Sequence, residues 1–240
     1  NNNSKSNRKY QYSGHSNGDT AEKKNSGHSN GDTAEKKDSF DERFDDLLSR
    51  NGLKRNKIKD NGDCLFTALL NILKNTIRSN VDENLPETVS ELRKELVKWM
   101  ETPESGDHGG TFLNEHEEII TSEIVPGTED KLLYDTIDHY KRAMSLSADK
   151  RNINNYVPMS GFGGQIELIA FVKKYKDVLE NYYGSTNIQL VQVVKEEPIE
   201  LQISSNFVDG EITTDLQRLD TNLPILFFKD LHYDMITPEN

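Results

Sequence analysis

The feature that most narrows the fold is a change of period along the chain. Across residues 40–179 apolar side chains recur at three- and four-residue spacing, and across residues 188–236 they gather in short runs bounded by turn residues. The first spacing is that of a helix face and the second that of strands. Helices first and strands afterward make an α+β plan, with helices flanking a small, mostly antiparallel C-terminal sheet joined by hairpins. Phe40, Phe44, Leu47 and Leu48 predict an opening helix that Asn51-Gly52 breaks. Further helices are expected after Cys64, over residues 87–100 with Pro86 at the start, and over 111–124, 130–144 and 165–179. Strands are expected at 188–194, 199–203, 223–228 and 231–236.

Ahead of this domain the composition changes. Residues 13–24 read Ser-Gly-His-Ser-Asn-Gly-Asp-Thr-Ala-Glu-Lys-Lys and recur letter for letter at 26–37. No residue of the repeat larger than alanine could enter a core, so disorder is expected there, and two short copies do not build a solenoid. Hydrophobic residues make up only 33% of the chain, and this segment holds much of the deficit. The expected organisation is a disordered tandem-repeat tail over 1–37 and one domain over 38–240. His15 and His28 have no second ligand type spaced to complete a metal site, and no metal or other cofactor is expected.

Cys64 is the only cysteine in the 240 residues. It forms no disulfide within the chain and cannot build a cysteine-based zinc site. It stands in Asp60-Asn61-Gly62-Asp63-Cys64-Leu65-Phe66, a turn that feeds an apolar run continuing through Ile72 and Leu73. That pattern sets Cys64 at a helix N-terminus, where unpaired N–H groups and the helix dipole favour a thiolate. A buried structural cysteine is the alternative. Far along the chain, Leu223-Pro224-Ile225-Leu226-Phe227-Phe228 reads as a buried strand, Lys229-Asp230 as a turn, and Leu231 to Ile236 as the return strand. Side chains two apart on a strand share a face, so His232 and Asp234 point one way and Tyr233 and Met235 the other. A carboxylate beside an imidazole fixes its tautomer and stabilises its protonated form. His108 falls in a flexible glycine-rich loop, and His116 and His139 on charged helices, so none of them competes well with His232 as a base.

Together these segments resemble the ovarian-tumour family of cysteine deubiquitinases. That family carries an Asp-Gly-Asn/Asp-Cys-Leu-Phe type motif and a later His-Tyr-Asp/Asn type motif. A third segment is similar to the family's Tyr-x-x-x-Met followed by Trp-Gly-x-x-Glu-Leu-x-Ala: here Tyr140 and Met144, then Gly164, Glu167, Leu168 and Ala170. The resemblance covers roughly residues 40–240 in the same order, and it implies a papain-like fold. It also implies Cys64 as nucleophile, His232 as base and Asp234 as orienter, with Asn61 and Asp63 in the oxyanion loop. The chain departs from the pattern at Asn61, where the family usually has aspartate, and in lacking the tryptophan before the glycine. Asn61 either donates to the oxyanion through its amide or shapes the turn, while Asp60 is a neighbouring carboxylate.

The implied activity is hydrolysis of the isopeptide bond between the ubiquitin C-terminal glycine and a lysine, with ubiquitin or polyubiquitin as partner. A ubiquitin-binding module without turnover and another thiol-dependent acyl transferase are the alternatives. The formal net charge of −12 argues against nucleic acid or an anionic membrane as partner and suits a basic one. Asp107, Glu115, Glu117 and Glu118 are the acidic candidates for that contact. No apolar run is long enough to cross a membrane and no signal-peptide pattern opens the chain. A monomer in a reducing, cytosolic setting is expected, that of a host cell if the source is a parasite or an intracellular bacterium.

Overall fold

The computed structural model describes residues 39–77, 85–107, 109–125, 128, 131–153, 159–207 and 210–239. The repeat segment with His15 and His28 lies outside these residues, as does His108.

The opening helix α1, Phe40–Arg50, starts at a capping box: the Ser39 hydroxyl accepts the Glu42 N–H at 3.3 Å and the Glu42 carboxylate accepts the Ser39 N–H at 2.8 Å. Asn51 caps its end, and Gly52 turns the chain at φ +68°, a region open to glycine at little cost. A short strand follows, β1 (Leu53–Asn56), which the sequence did not announce because Lys-Arg-Asn shows no apolar alternation. The cysteine helix is α2, Cys64–Ile77. Next comes α3, Val89–Met100, which starts slightly later than expected because Thr88 and Glu91 form a capping box.

Helices α4 (Phe112–Thr121) and α5 (Ile137–Met144) are both shorter than their predicted spans. Between them Ile124 pairs with Leu132 in an isolated antiparallel bridge, and Thr136 accepts the His139 N–H to begin α5 afresh. A short α6, Ala148–Ile153, follows. The long helix predicted over 165–179 is two, α7 (Gln165–Lys174) and α8 (Lys176–Tyr183). The break is Tyr175, whose backbone leaves helical geometry while its hydroxyl donates to Glu95 at 3.0 Å.

Strands β2 (Gln189–Glu196), β3 (Ile199–Ser205), β4 (Glu211–Thr213), β5 (Ile225–Lys229) and β6 (His232–Pro238) complete a six-stranded sheet with β1. Its order is β1-β6-β5-β2-β3-β4, and β2–β5 is the one parallel pairing. The class is therefore α+β with a mostly antiparallel sheet, as the change of period predicts. The β5–β6 turn is one residue later than expected: Asp230 and Leu231, at φ +51° and +65°, form it, and Lys229 already pairs with His232.

Alternation along the strands divides the core in two. On one face Leu190, Leu226, Tyr233 and Met235 pack with α2 and the rest of the helical layer. On the other, Val191, Ile225, Phe227 and Ile236 pack with Phe44 and Leu48 of α1. Leu65, Phe66, Leu69, Ile72 and Leu73 of α2 are almost wholly buried in the first core, and each such side chain contributes about 1.5–3 kcal/mol on leaving water. That burial fixes α2, and with it Cys64, against the sheet.

Candidate active site

Cys64 opens α2, and the Asp63 carbonyl accepts from both the Thr67 N–H, at 2.8 Å, and the Thr67 hydroxyl, at 2.9 Å. Asp63 thus holds the cap position through its backbone, and its carboxylate turns inward. There it accepts the Ala148 N–H at 3.0 Å and meets the guanidinium groups of Arg93 at 2.5 Å and Arg151 at 3.5 Å. The Asp63 N–H donates to Asn61 Oδ1 at 3.1 Å, so Asn61 closes a turn on its own backbone. Gly62 sits at φ +80°, with the Phe162 ring where a Cβ would stand, and only glycine fits.

Arg93 holds this loop from below. Its side chain is fully buried, lies 3.7 Å from the Phe66 ring centroid, and donates to the carbonyls of Gly62, Gly161 and Met144 at 2.9, 2.9 and 3.2 Å. Arg151 donates to the Gly62 carbonyl as well, at 2.9 Å. The segment with Glu167 meets the same place from above. A Cβ on Gly163 would stand 2.5 Å from Leu65 Cδ2, so the chain at Gly163 rests directly on the start of the cysteine helix. Glu167 accepts the Gly164 N–H at 2.6 Å and the Tyr140 hydroxyl, and burial pushes its carboxyl up. The segment with Tyr140 and Glu167 thus packs on the loop and helix start that carry Cys64.

Around the sulfur, the backbone N–H groups of Tyr233, Leu65 and Cys64 itself favour the thiolate, in that order of strength. Burial outweighs them, and with the Asp60 carboxylate nearby the Cys64 thiol is pushed up. This corrects the expectation drawn from helix position alone: Cys64 is 4% exposed, and losing hydration costs the charged form more than the helix end returns.

His232 opens β6, and its Nε2 lies 2.9 Å from Asp234 Oδ1, so the two side chains share a face as the strand period requires. Asp234 is 3% exposed and also accepts the Ile58 N–H at 2.6 Å. The other ring nitrogen, His232 Nδ1, is buried and has no hydrogen-bond partner; Asp60 Oδ1 lies 3.8 Å from it. A histidine with one nitrogen on a carboxylate and the other unpaired can receive a proton at the free nitrogen. The rival histidines are used locally. His116 Nδ1 lies 2.9 Å from the Phe112 carbonyl, and His139 Nδ1 lies 2.9 Å from Asp135 Oδ1.

Of the acidic candidates, Asp107 is 2.6 Å from Lys173 Nζ, and its N–H donates to Glu115 at 3.0 Å. Glu117 and Glu118 are exposed on α4. Among the described residues there is no cluster of three or more His, Cys, Asp or Glu placed to hold a metal ion, and no helix long and apolar enough to cross a membrane.

Sequence reasoning missed the arginines. Arg93 carried a signal, since it lies on the inward stripe of α3 with Leu92, Leu96, Val97 and Met100; a charge on an apolar stripe marks a buried ion pair. Arg151 and Arg55 carried none.

No known family model matches the chain, and no curated protein matches it. Among solved structures, the chain is similar to the structure of the OTUD1 OTU domain, with a TM-score of 0.43 and 19% identity over 81% of this chain and 92% of that one. It is also similar to the crystal structure of an OTU deubiquitinase from Wolbachia pipientis wMel, with a TM-score of 0.39 and 13% identity over 79% and 91%.

Proposed function

We propose that the chain is a cysteine deubiquitinase that hydrolyses the isopeptide bond between the C-terminal glycine of ubiquitin and a lysine. The observation that carries the reading is the His232 ring, held through Nε2 by Asp234 and left with an unpaired Nδ1, on the strand whose Tyr233 N–H reaches the Cys64 sulfur. The motif resemblance of the segments around Cys64, Glu167 and His232 supplies the substrate class. In this mechanism His232 Nδ1 takes the Cys64 proton as the sulfur attacks the glycine carbonyl carbon. The N–H groups of Cys64 and Leu65, at the start of α2, stabilise the oxyanion. Collapse of the adduct expels the lysine amine, which takes the proton from His232, and leaves a thioester on Cys64. Water, deprotonated by His232, then releases the ubiquitin carboxylate and the thiol. Asp234 keeps the imidazole in place and balances its charge throughout. The exposed Glu117 and Glu118 and the acidic net charge suit the arginines of the ubiquitin tail.

A second reading, a ubiquitin-binding module without turnover, is favoured by one observation: burial holds the Cys64 thiol protonated further up the pH scale than an ordinary thiol. Ubiquitin carrying a C-terminal electrophile separates the two. The enzyme forms an adduct with it at Cys64, and labelling accelerates as pH rises through the elevated thiol pKa, because the thiolate is the reactive form. Cleavage of a panel of di-ubiquitins by the intact chain, and none by Cys64→Ala, completes the test. Undiminished cleavage by Cys64→Ala overturns the mechanism, and binding without adduct or cleavage establishes the second reading.

A further inference from the structure

We propose that Arg55 is a positioning residue that anchors the Asp234 carboxylate in the orientation that serves His232. The inference rests on the reading of His232 and Asp234 just given and adds the group that stands behind them.

Strand β1 is an edge strand of four residues, yet the Arg55 side chain is only 5% exposed. Register explains why. Arg55 lies opposite Ile236 on β6, and Asp234 is two residues before Ile236 on the same face, so Arg55 is the diagonal neighbour of Asp234. The guanidinium sits 5.7 and 5.6 Å from the ring centroids of Phe44 and Phe227. Its Nε donates to Asp45 Oδ1 at 2.9 Å, one terminal nitrogen reaches Asp41 Oδ1 at 3.0 Å, and the other stands 3.9 Å from Asp234 Oδ2.

The division of labour at Asp234 points the same way. Its Oδ1 is committed to His232 Nε2 and the Ile58 N–H, and Oδ2 is the oxygen turned toward Arg55. Two α1 carboxylates already balance the guanidinium, so an arginine present only for packing has no need of a third. Seen from Asp234, Arg55 is the buried cation among three converging carboxylates; Lys57, which pairs with Asp45 at 3.4 Å, is 58% exposed. Without Arg55 the Asp234 carboxylate loses the cation behind Oδ2 that fixes the plane in which it meets the ring, while Oδ1 stays on His232 and the Ile58 N–H. The local potential also becomes more negative, which favours protonated imidazole.

The test is the titration of His232 by NMR in the full chain, its resonance assigned with His232→Gln, read beside kcat and KM on di-ubiquitin. The groups around the ring are Asp234 at Nε2, Asp60 at 3.8 Å from Nδ1, Lys229 as the cross-strand partner of His232, and Asp41 and Asp45 behind Arg55; the variants below alter only Arg55 or Asp45. Arg55→Met, which keeps contact with both rings, raises the His232 midpoint by about half a pH unit or more. It also lowers kcat roughly ten- to a hundredfold at unchanged KM, less than the about 10⁴-fold that loss of a triad acid costs. Arg55→Lys restores the midpoint and part of kcat. Should Arg55→Met fail to fold, Asp45→Asn leaves the core intact, frees the guanidinium toward Asp234 and lowers the midpoint. An unmoved midpoint in the folded variants, with kcat as in the parent, overturns the proposal and leaves Arg55 a packing residue. The titration needs no substrate: if the parent chain forms no adduct with the ubiquitin electrophile, the proposed function fails while the Arg55–His232 coupling is still decided.

Discussion

Arg93 bears on the cysteine loop without touching the thiol. Burial, with Arg151 close by, pushes its guanidinium down to about 10, so it stays charged at neutral pH. Arg93→Met removes the donor to three carbonyls and leaves the Asp63 carboxylate, 8% exposed, with Arg151 as its remaining cation at 3.5 Å. Stranding a buried charge in this way costs about 3–5 kcal/mol, which urea denaturation measures directly. A loss below about 1 kcal/mol would mean that Arg151 carries the loop alone. The residue scale is also where legibility in the sequence divides. Cys64 at the start of α2 and the His232–Asp234 contact were visible because each sits in a local pattern, a turn before an apolar run or a two-residue strand spacing. Arg55 and Arg151 were not, because their partners lie on other elements and no local spacing encodes a contact between distant segments. The ionisation of Cys64 was misjudged for a related reason: position on a helix is local, whereas burial depends on the whole fold.

At the scale of elements, strong apolar periods were read well and their ends less so. The helix after Cys64 and the strands around Leu226 and Met235 stood out, while β1 and β4 hold too few apolar residues to leave a pattern. Helix α4 ends early at Thr121 and α5 starts late, because the cap at Thr136 begins it afresh within a spacing that the apolar residues alone continue. The β5–β6 turn shows the same limit. Two consecutive residues at positive φ make the mirror-image turn that matches strand twist, a turn that usually announces itself with Asn-Gly or Asp-Gly. Here the second position is Leu231, at φ +65°. A leucine in that region costs about 1–2 kcal/mol, and glycine returns part of the gain through its looser unfolded chain. Leu231→Gly is therefore expected to stabilise the protein by roughly 0.5–1 kcal/mol, read as a rise in Tm with unchanged kcat/KM. A fall in Tm would show that the Leu231 side chain contributes more in contacts than its backbone loses in strain.

For the whole molecule, the sequence separates a segment that cannot contribute to a core from one that does. Residues 1–37 hold the repeat, and among the described residues the two cores draw on Phe40 and later positions. Deleting residues 1–37 is expected to leave Tm and kcat/KM on di-ubiquitin unchanged, since ordering each residue of such a segment costs about 1–2 kcal/mol with no apolar burial to offset it. A marked loss of kcat/KM would assign the segment to substrate contact. The two cores also bear on the life of the protein before it is finished. Cys64 precedes His232 by most of the domain, and the strand that carries the imidazole lies between β1 and β5 in the sheet. In the proposed mechanism the thiol gains its base only once β6 has paired with both β1 and β5. Under that mechanism a chain not yet elongated through β6 carries an unactivated thiol, and β6 acts as a safety catch on it.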